Sequence, residues 1–196
     1  DFREPFRQQV VEYFMREYEA GRTPNPCIAC NRYIKWEALR TEARRLGADW
    51  IATGHYARIR QLENGRYAVE RAASAAKDQT YALYRLTQEQ LAHTQMPLGR
   101  YPKEEVRRMA EEAGLPVAHK PDSQEICFIP DQDYAAFISR QRGREPAEGD
   151  FVDTEGRVLG RHRGLTHYTV GQRKGLGIAF GVPMFVQKLC PGTNQV

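Results

Sequence analysis

The sequence predicts an α/β fold, and three observations carry that reading. Two helical periodicities over residues 3–46 are followed at once by the short apolar run Trp50-Ile51-Ala52-Thr53, which ends in Gly54-His55. A helix, a tight turn, a buried strand and a glycine at the strand's carboxyl end make an α/β unit, the place where ligands commonly sit in such folds. Further on, Asn64-Gly65 lies between two extended segments and marks a β-hairpin. From about Glu148 the text becomes β-like and glycine-rich, so a second region of different character follows the first.

Phe6, Val10, Phe14 and Tyr18 recur at helical spacing, which predicts a helix over 3–20 with Gly21 as its left-handed stop. Gly21-Arg22-Thr23-Pro24-Asn25-Pro26 is too rich in proline to continue it. A second helix is expected over about 31–46, with Ile34, Ala38 and Leu39 inward and Gly47 after its end. Segments 57–62 and 66–71 form the hairpin, and Leu83, Tyr84 and Leu86 mark a helical stretch after Lys77-Asp78-Gln79-Thr80-Tyr81. A helix over 102–113 has proline in its first turn and Gly114 after it. Another, around 133–141, carries Tyr134, Phe137 and Ile138 at core spacing. Phe151-Val152-Asp153 and Arg157-Val158-Leu159 then flank Thr154-Glu155-Gly156. The change in composition near residue 140 is the main candidate for a domain boundary.

Composition narrows the class. With 196 residues, 41% of them hydrophobic, the chain can bury a core without staples. No window approaches eighteen consecutive apolar residues, so no membrane span is expected. Four cysteines are too few for a disulfide scaffold, which points to a reducing compartment, the cytoplasm. The first residue is Asp1 rather than Met and nothing near it resembles a leader, so the start is not expected to be the natural one. The formal charge of +4 is uneven: residues 156–196 carry +6 and the remainder −2. Such a split suits a polyanionic partner, most often nucleic acid, or an ordinary solvated basic face.

Few residues can carry chemistry. Cys27-Ile28-Ala29-Cys30 stands after the proline loop and at a helix start, where the helix's partial positive charge favours thiolate. The pair can be half of a zinc site, a redox dithiol, or a nucleophilic thiol with a neighbour. Zinc is the weaker reading, since no second matched pair exists. Cys127, between Ile126 and Phe128, reads either as a core thiol or as part of a functional loop led by Lys120-Pro121-Asp122-Ser123-Gln124-Glu125. Cys190 has no evident role. Gly54-His55-Tyr56 could offer a backbone amide to a nucleotide and an imidazole to a substrate. Lys77-Asp78-Gln79 offers a cation, a carboxylate and an amide in succession. His162 and His167 have no obvious partners and read as structural.

In combination these segments become specific. Gly21 through Trp36, including Asn25-Pro26-Cys27-Ile28-Ala29-Cys30, closely resembles the signature loop of the tRNA-specific 2-thiouridylases, the MnmA family. Ala52-Thr53-Gly54-His55-Tyr56, Lys77-Asp78-Gln79-Thr80-Tyr81, Asp122-Ser123-Gln124-Glu125-Ile126-Cys127-Phe128-Ile129 and the stretch 164–178 match further blocks in the same order. The resemblance implies a partial Rossmann-like ATP pyrophosphatase domain over 1–90 and 116–134. It implies a small mixed α/β central domain that contacts tRNA, over 91–115 and 135–180, and the start of a β-barrel over 181–196.

It further implies an ATP-dependent sulfurtransferase, with Mg2+ accompanying ATP, that thiolates C2 of the wobble uridine in lysine, glutamate and glutamine tRNAs. Cys127 would carry the persulfide, and Cys30 would resolve it through a transient Cys30–Cys127 disulfide. Gly54 would contact ATP; Asn25, Pro26 and Cys27 the target base; His55, Lys77, Asp78 and Gln79 the tRNA. A cysteine desulfurase or relay protein would donate sulfur. Neither a resident metal nor a membrane is expected.

The chain departs from the family pattern twice. Cys27 stands where many members have an aspartate credited with proton transfer, so its contact with the base is better founded than an acid/base role. The family's Ser-Gly-Gly-Val-Asp-Ser-Ser phosphate loop does not occur in residues 1–196, so the chain as given is not expected to turn over alone. Two rivals stay open: an iron–sulfur cluster held by Cys27, Cys30 and Cys127, and a zinc-stapled RNA-binding module without catalysis.

Overall fold

A computed structural model describes residues 1–120 and 125–196 and divides into two compact units. The first comprises Asp1–Val10 and Cys27–Ser123, the second Val11–Pro26 and Gln124–Val196. Asp122, Ser123 and Gln124 of the cysteine block lie outside the described residues.

The first expected helix, α1, runs over residues 3–19, with a π-wound turn at Arg7–Val11. Gly21 follows in the left-handed region at φ 70°. The second helix, α2, covers residues 26–45 and so starts five residues before the expected position. Pro26 takes its first position, where a missing N–H costs nothing.

From Cys30–Leu39, α2 is wound as a π-helix, with hydrogen bonds from i to i+5. The winding changes which residues share a face. Asn31 and Trp36, five apart, are the buried residues of this segment, while Leu39 is 43% exposed. The expected inward set of Ile34, Ala38 and Leu39 presumed α spacing and is corrected by the wider turn.

In the first unit, β1 (Ile51–Ala52) pairs in parallel with β4 (Thr94–Gln95). The expected buried strand is shorter and shallower than its apolar run suggested, for Trp50 is 51% exposed. The hairpin forms as expected: β2 (Ala57–Gln61) and β3 (Tyr67–Arg71) pair antiparallel, with Gly65 at φ 79° in the turn. Where Leu83, Tyr84 and Leu86 suggested a helix, only short turns form. A 3-10 turn at Thr80–Ala82 is followed by a hydrogen bond from Leu86 N to Leu83 O. Leu83 is buried because it joins the core of Trp36, Ala57 and Met96, not because a helix presents it.

The short helix α3 (Gln88–Ala92) is closed by a capping box between Thr87 and Gln90. Gly99 has a packing reason: an added Cβ would sit 1.8 Å from the Ala57 carbonyl oxygen. Helix α4 spans Lys103–Glu112, close to its expected range.

In the second unit, the later turns of α1 pack on α5 (Tyr134–Arg142), which Asp133 caps and Gly143 ends. Their core holds Phe14, Met15, Tyr18, Ile129 and Ile138. Phe14 meets Phe128 and Tyr134 edge-on at centroid distances of 5.6 and 5.8 Å. The Arg142 guanidinium forks onto Glu19 and also reaches Glu12, each at 2.9 Å.

The last third forms an antiparallel pair, β5 (Gly149–Val152) and β6 (Val158–His162), over a core of Phe151, Leu165, Tyr168, Leu176, Val186 and Leu189. Among the described residues the three sheets each have two strands, and none closes into a barrel. No helix among them is long and apolar enough to cross a membrane.

Candidate active site

The loop that leads to the C-x-x-C, residues 21–26, belongs to the second unit. A Cβ on Gly21 would come 2.9 Å from the Leu189 Cβ, and Thr23 and Thr169 hydroxyls lie 3.4 Å apart. Asn25 is exposed and Pro26 buried. Cys27 is exposed in the first turn of α2, whereas Cys30, three residues on, is half-buried. An accessible thiol and a sheltered one therefore stand on consecutive turns at a helix start, where the macrodipole favours negative charge.

What holds this end of α2 is a buried polar circuit that sequence reasoning missed. The Trp36 indole N–H donates to the Thr94 hydroxyl at 2.7 Å, and that hydroxyl donates to the Gln90 carbonyl at 2.7 Å. The Gln90 side-chain amide donates to the Trp36 carbonyl at 3.1 Å and closes the circuit. One step from Cys30, the Asn31 amide donates to the Ala82 carbonyl at 3.0 Å. The signal available beforehand was Thr87-Gln88-Glu89-Gln90, which has the spacing of a capping box.

Gly54 is exposed just after β1, at the carboxyl end of a parallel pair. An added Cβ would meet only Leu98, at 3.5 Å, so internal packing does not account for the glycine and its backbone is open to close approach. His55 turns inward: it is 8% exposed, its Nδ1 lies 2.7 Å from the Thr53 hydroxyl, and its ring packs on Trp36 at 5.5 Å. Burial, with a smaller contribution from Lys35, pulls its pKa down to about 4. The imidazole is neutral at pH 7 and offers a hydrogen bond rather than a charge.

Asp78 and Gln79 are engaged in holding their own loop. One Asp78 oxygen accepts from Ala72 N at 2.8 Å and the other from Thr80. The Gln79 side-chain oxygen accepts from Tyr56 N, while its own N–H donates to Tyr56 O, both at 2.9 Å. Lys77 is half-buried at the end of the preceding 3-10 turn.

Cys127 lies in the second unit, exposed at the second position of a turn closed by Ile129 N donating to Ile126 O at 2.9 Å. Ile126, Phe128 and Ile129 all pack into the aromatic core, so the turn is anchored on both sides of an outward thiol. Cys127 is therefore not the core thiol that its apolar neighbours allowed. The Tyr134 hydroxyl donates to Glu125 at 3.0 Å, and burial together with that carboxylate pushes its pKa up to about 12. His162 does have partners: its Nδ1 accepts from Gly164 N and its Nε2 meets the Asn194 carbonyl, both at 3.0 Å. Within each unit, the described residues gather no three His, Cys, Asp or Glu side chains that could hold a metal ion.

A glycine after a parallel strand pair, a helix that begins with thiols and a following region of paired strands make up an α/β unit followed by a mostly β region. A family model described as the tRNA methyl transferase HUP domain matches residues 1–131, and one described as the tRNA methyl transferase PRC-barrel domain matches residues 135–196. The chain belongs to this family, the one in which the resemblance to the tRNA-specific 2-thiouridylases, the MnmA family, had placed it. It is 62% identical over 196 residues to a protein of Lachnoclostridium phytofermentans named tRNA-specific 2-thiouridylase MnmA. Proteins of the same name from Clostridioides difficile and Clostridium kluyveri are 53% and 55% identical over 197 and 196 residues. All of this chain is covered in each case, and it spans about 55% of the length of these relatives.

Proposed function

We propose that this chain is the thiol-bearing part of an ATP-dependent tRNA-uridine 2-sulfurtransferase that acts on the wobble base in the cytoplasm. The observation that carries the reading is the pair of differently presented thiols, half-buried Cys30 at a helix start and exposed Cys127 on an anchored turn. Identity of 53–62% across the whole chain to proteins named 2-thiouridylases supports it.

Cys127, reachable by a donor protein, carries the terminal sulfur as a persulfide. ATP, when bound, supplies the adenylyl group that makes the uridine C2 oxygen a leaving group. The persulfide's outer sulfur attacks C2 and AMP departs, which leaves the base joined to Cys127 through an S–S bond. The Cys30 thiolate attacks the Cys127 sulfur, the bond to the outer sulfur breaks, and thiolated base and a Cys30–Cys127 disulfide result. A dithiol reductant then returns both thiols.

Gly54 leaves room for the nucleotide, while the phosphate cradle is not among these residues. Asn25, Pro26 and Cys27 are assigned to the target base and Lys77 to the tRNA, while His55, Asp78 and Gln79 serve the tRNA side by shaping the loops that carry it. The substrates are the lysine, glutamate and glutamine tRNAs.

The test is a hybrid in which this chain replaces the matching segment of the L. phytofermentans relative, expressed in a strain that lacks wobble 2-thiouridine. The parent hybrid should restore the nucleoside by mass spectrometry, and Cys30→Ser and Cys127→Ser should each abolish it. Thiolation that survives either substitution would sink the two-thiol mechanism.

A further inference from the structure

We propose that Tyr81, Tyr84 and the ring of Tyr33 form a stacking platform for unpaired RNA bases beside Cys30. The inference rests on the tRNA reading above and names the surface that receives the nucleotides flanking the target base.

The platform follows from the local backbone. Two successive turns are closed by Leu83 N donating to Thr80 O at 3.0 Å and Leu86 N donating to Leu83 O at 3.1 Å. Tyr81 and Tyr84 occupy the same second position in each of the two turns. The inward side chains, Ala82 and Leu83, are buried, with Leu83 in the core. Tyr81 and Tyr84 stay 60% and 71% exposed. Two large aromatic rings left in solvent three residues apart are not explained by packing within this unit.

The same loop carries Arg85, whose guanidinium lies 5.9 Å from the centroid of the Tyr33 ring, while Arg32 lies 5.0 Å from it. Tyr33 is three residues beyond Cys30 on α2, and the Asn31 side chain grips the Ala82 carbonyl between the two exposed tyrosines. Aromatic faces interleaved with guanidinium planes are the means by which proteins hold splayed single-stranded bases. A wobble base can be reached only when it and its neighbours leave the anticodon stack.

The experiment is fluorescence anisotropy of an end-labelled anticodon stem-loop RNA titrated with the full chain over a series of salt concentrations. Tyr81→Ala and Tyr84→Ala should each weaken binding about 5- to 150-fold. Tyr84→Phe should bind as the parent does, and Tyr84→Leu, apolar but without a π face, should lose as much as alanine does. The slope of log Kd against log salt should not change, because no phosphate contact is removed. Should alanine lower the melting temperature, the leucine and phenylalanine variants carry the comparison. Unchanged affinity in both alanine variants, or equal losses with phenylalanine and alanine, would overturn the platform and leave RNA binding standing. A parent chain that binds the stem-loop no better than a fully paired RNA would overturn the RNA reading and the platform with it.

Discussion

His55 shows how one side chain's surroundings set its chemistry. Its ring is enclosed by Trp36 and the Thr53 hydroxyl, and burial takes its pKa from an ordinary 6.5 to about 4. Between those values the unfolded chain binds a proton that the folded chain does not, so stability is complete above about pH 6.5 and falls as pH drops toward 4. From this group alone, about 2 kcal/mol should be lost between pH 7 and pH 5. His162 and His167, also lowered by burial, act in the same direction. Urea melts at the two pH values should show a smaller loss in His55→Gln than in the parent, and equal losses would contradict the buried, neutral imidazole. The sequence placed His55 after a strand-end glycine, which the structure bears out. It could not show that the ring points inward, since that depends on Trp36 arriving from another element.

At the scale of elements, α2 decides where the C-x-x-C stands. Its π winding puts Asn31 and Trp36 on one buried face, and the circuit through Thr94 and Gln90 fixes that face to α3 and β4. Thr94→Val keeps the shape but orphans the buried indole N–H and removes one donor from the Gln90 carbonyl. A loss of about 1–3 kcal/mol is expected, read as a lower denaturant midpoint with an unchanged slope. Helix and hairpin positions were legible because Gly21, Gly47, Asn64-Gly65 and Gly114 are local signals. The inward face of α2 was not, because a periodicity of 3.6 presupposes α winding. The turns around Leu83 were missed for a related reason: the apolar residues there answer to a core built by distant segments.

For the whole molecule, the charge split has a structural counterpart. Of the six cations after residue 155, Arg157 pairs with Asp153 and Arg161 with Asp150, whereas Arg163, Arg173, Lys174 and Lys188 are exposed. If that surface meets tRNA backbone, joint Arg173→Glu and Lys174→Glu substitution should weaken tRNA binding. It should also flatten the slope of log Kd against log salt by about 1–2. An unaltered slope in filter-binding titrations would assign the charge to ordinary solvation. The two-thiol mechanism remains the central claim, and peptide mass spectrometry of the Cys30→Ser hybrid, incubated with a cysteine desulfurase and cysteine, tests it most directly. One extra sulfur atom is expected on Cys127, held there because no resolving thiolate can release it. An unmodified Cys127, or sulfur found instead on Cys27 or Cys190, would contradict it.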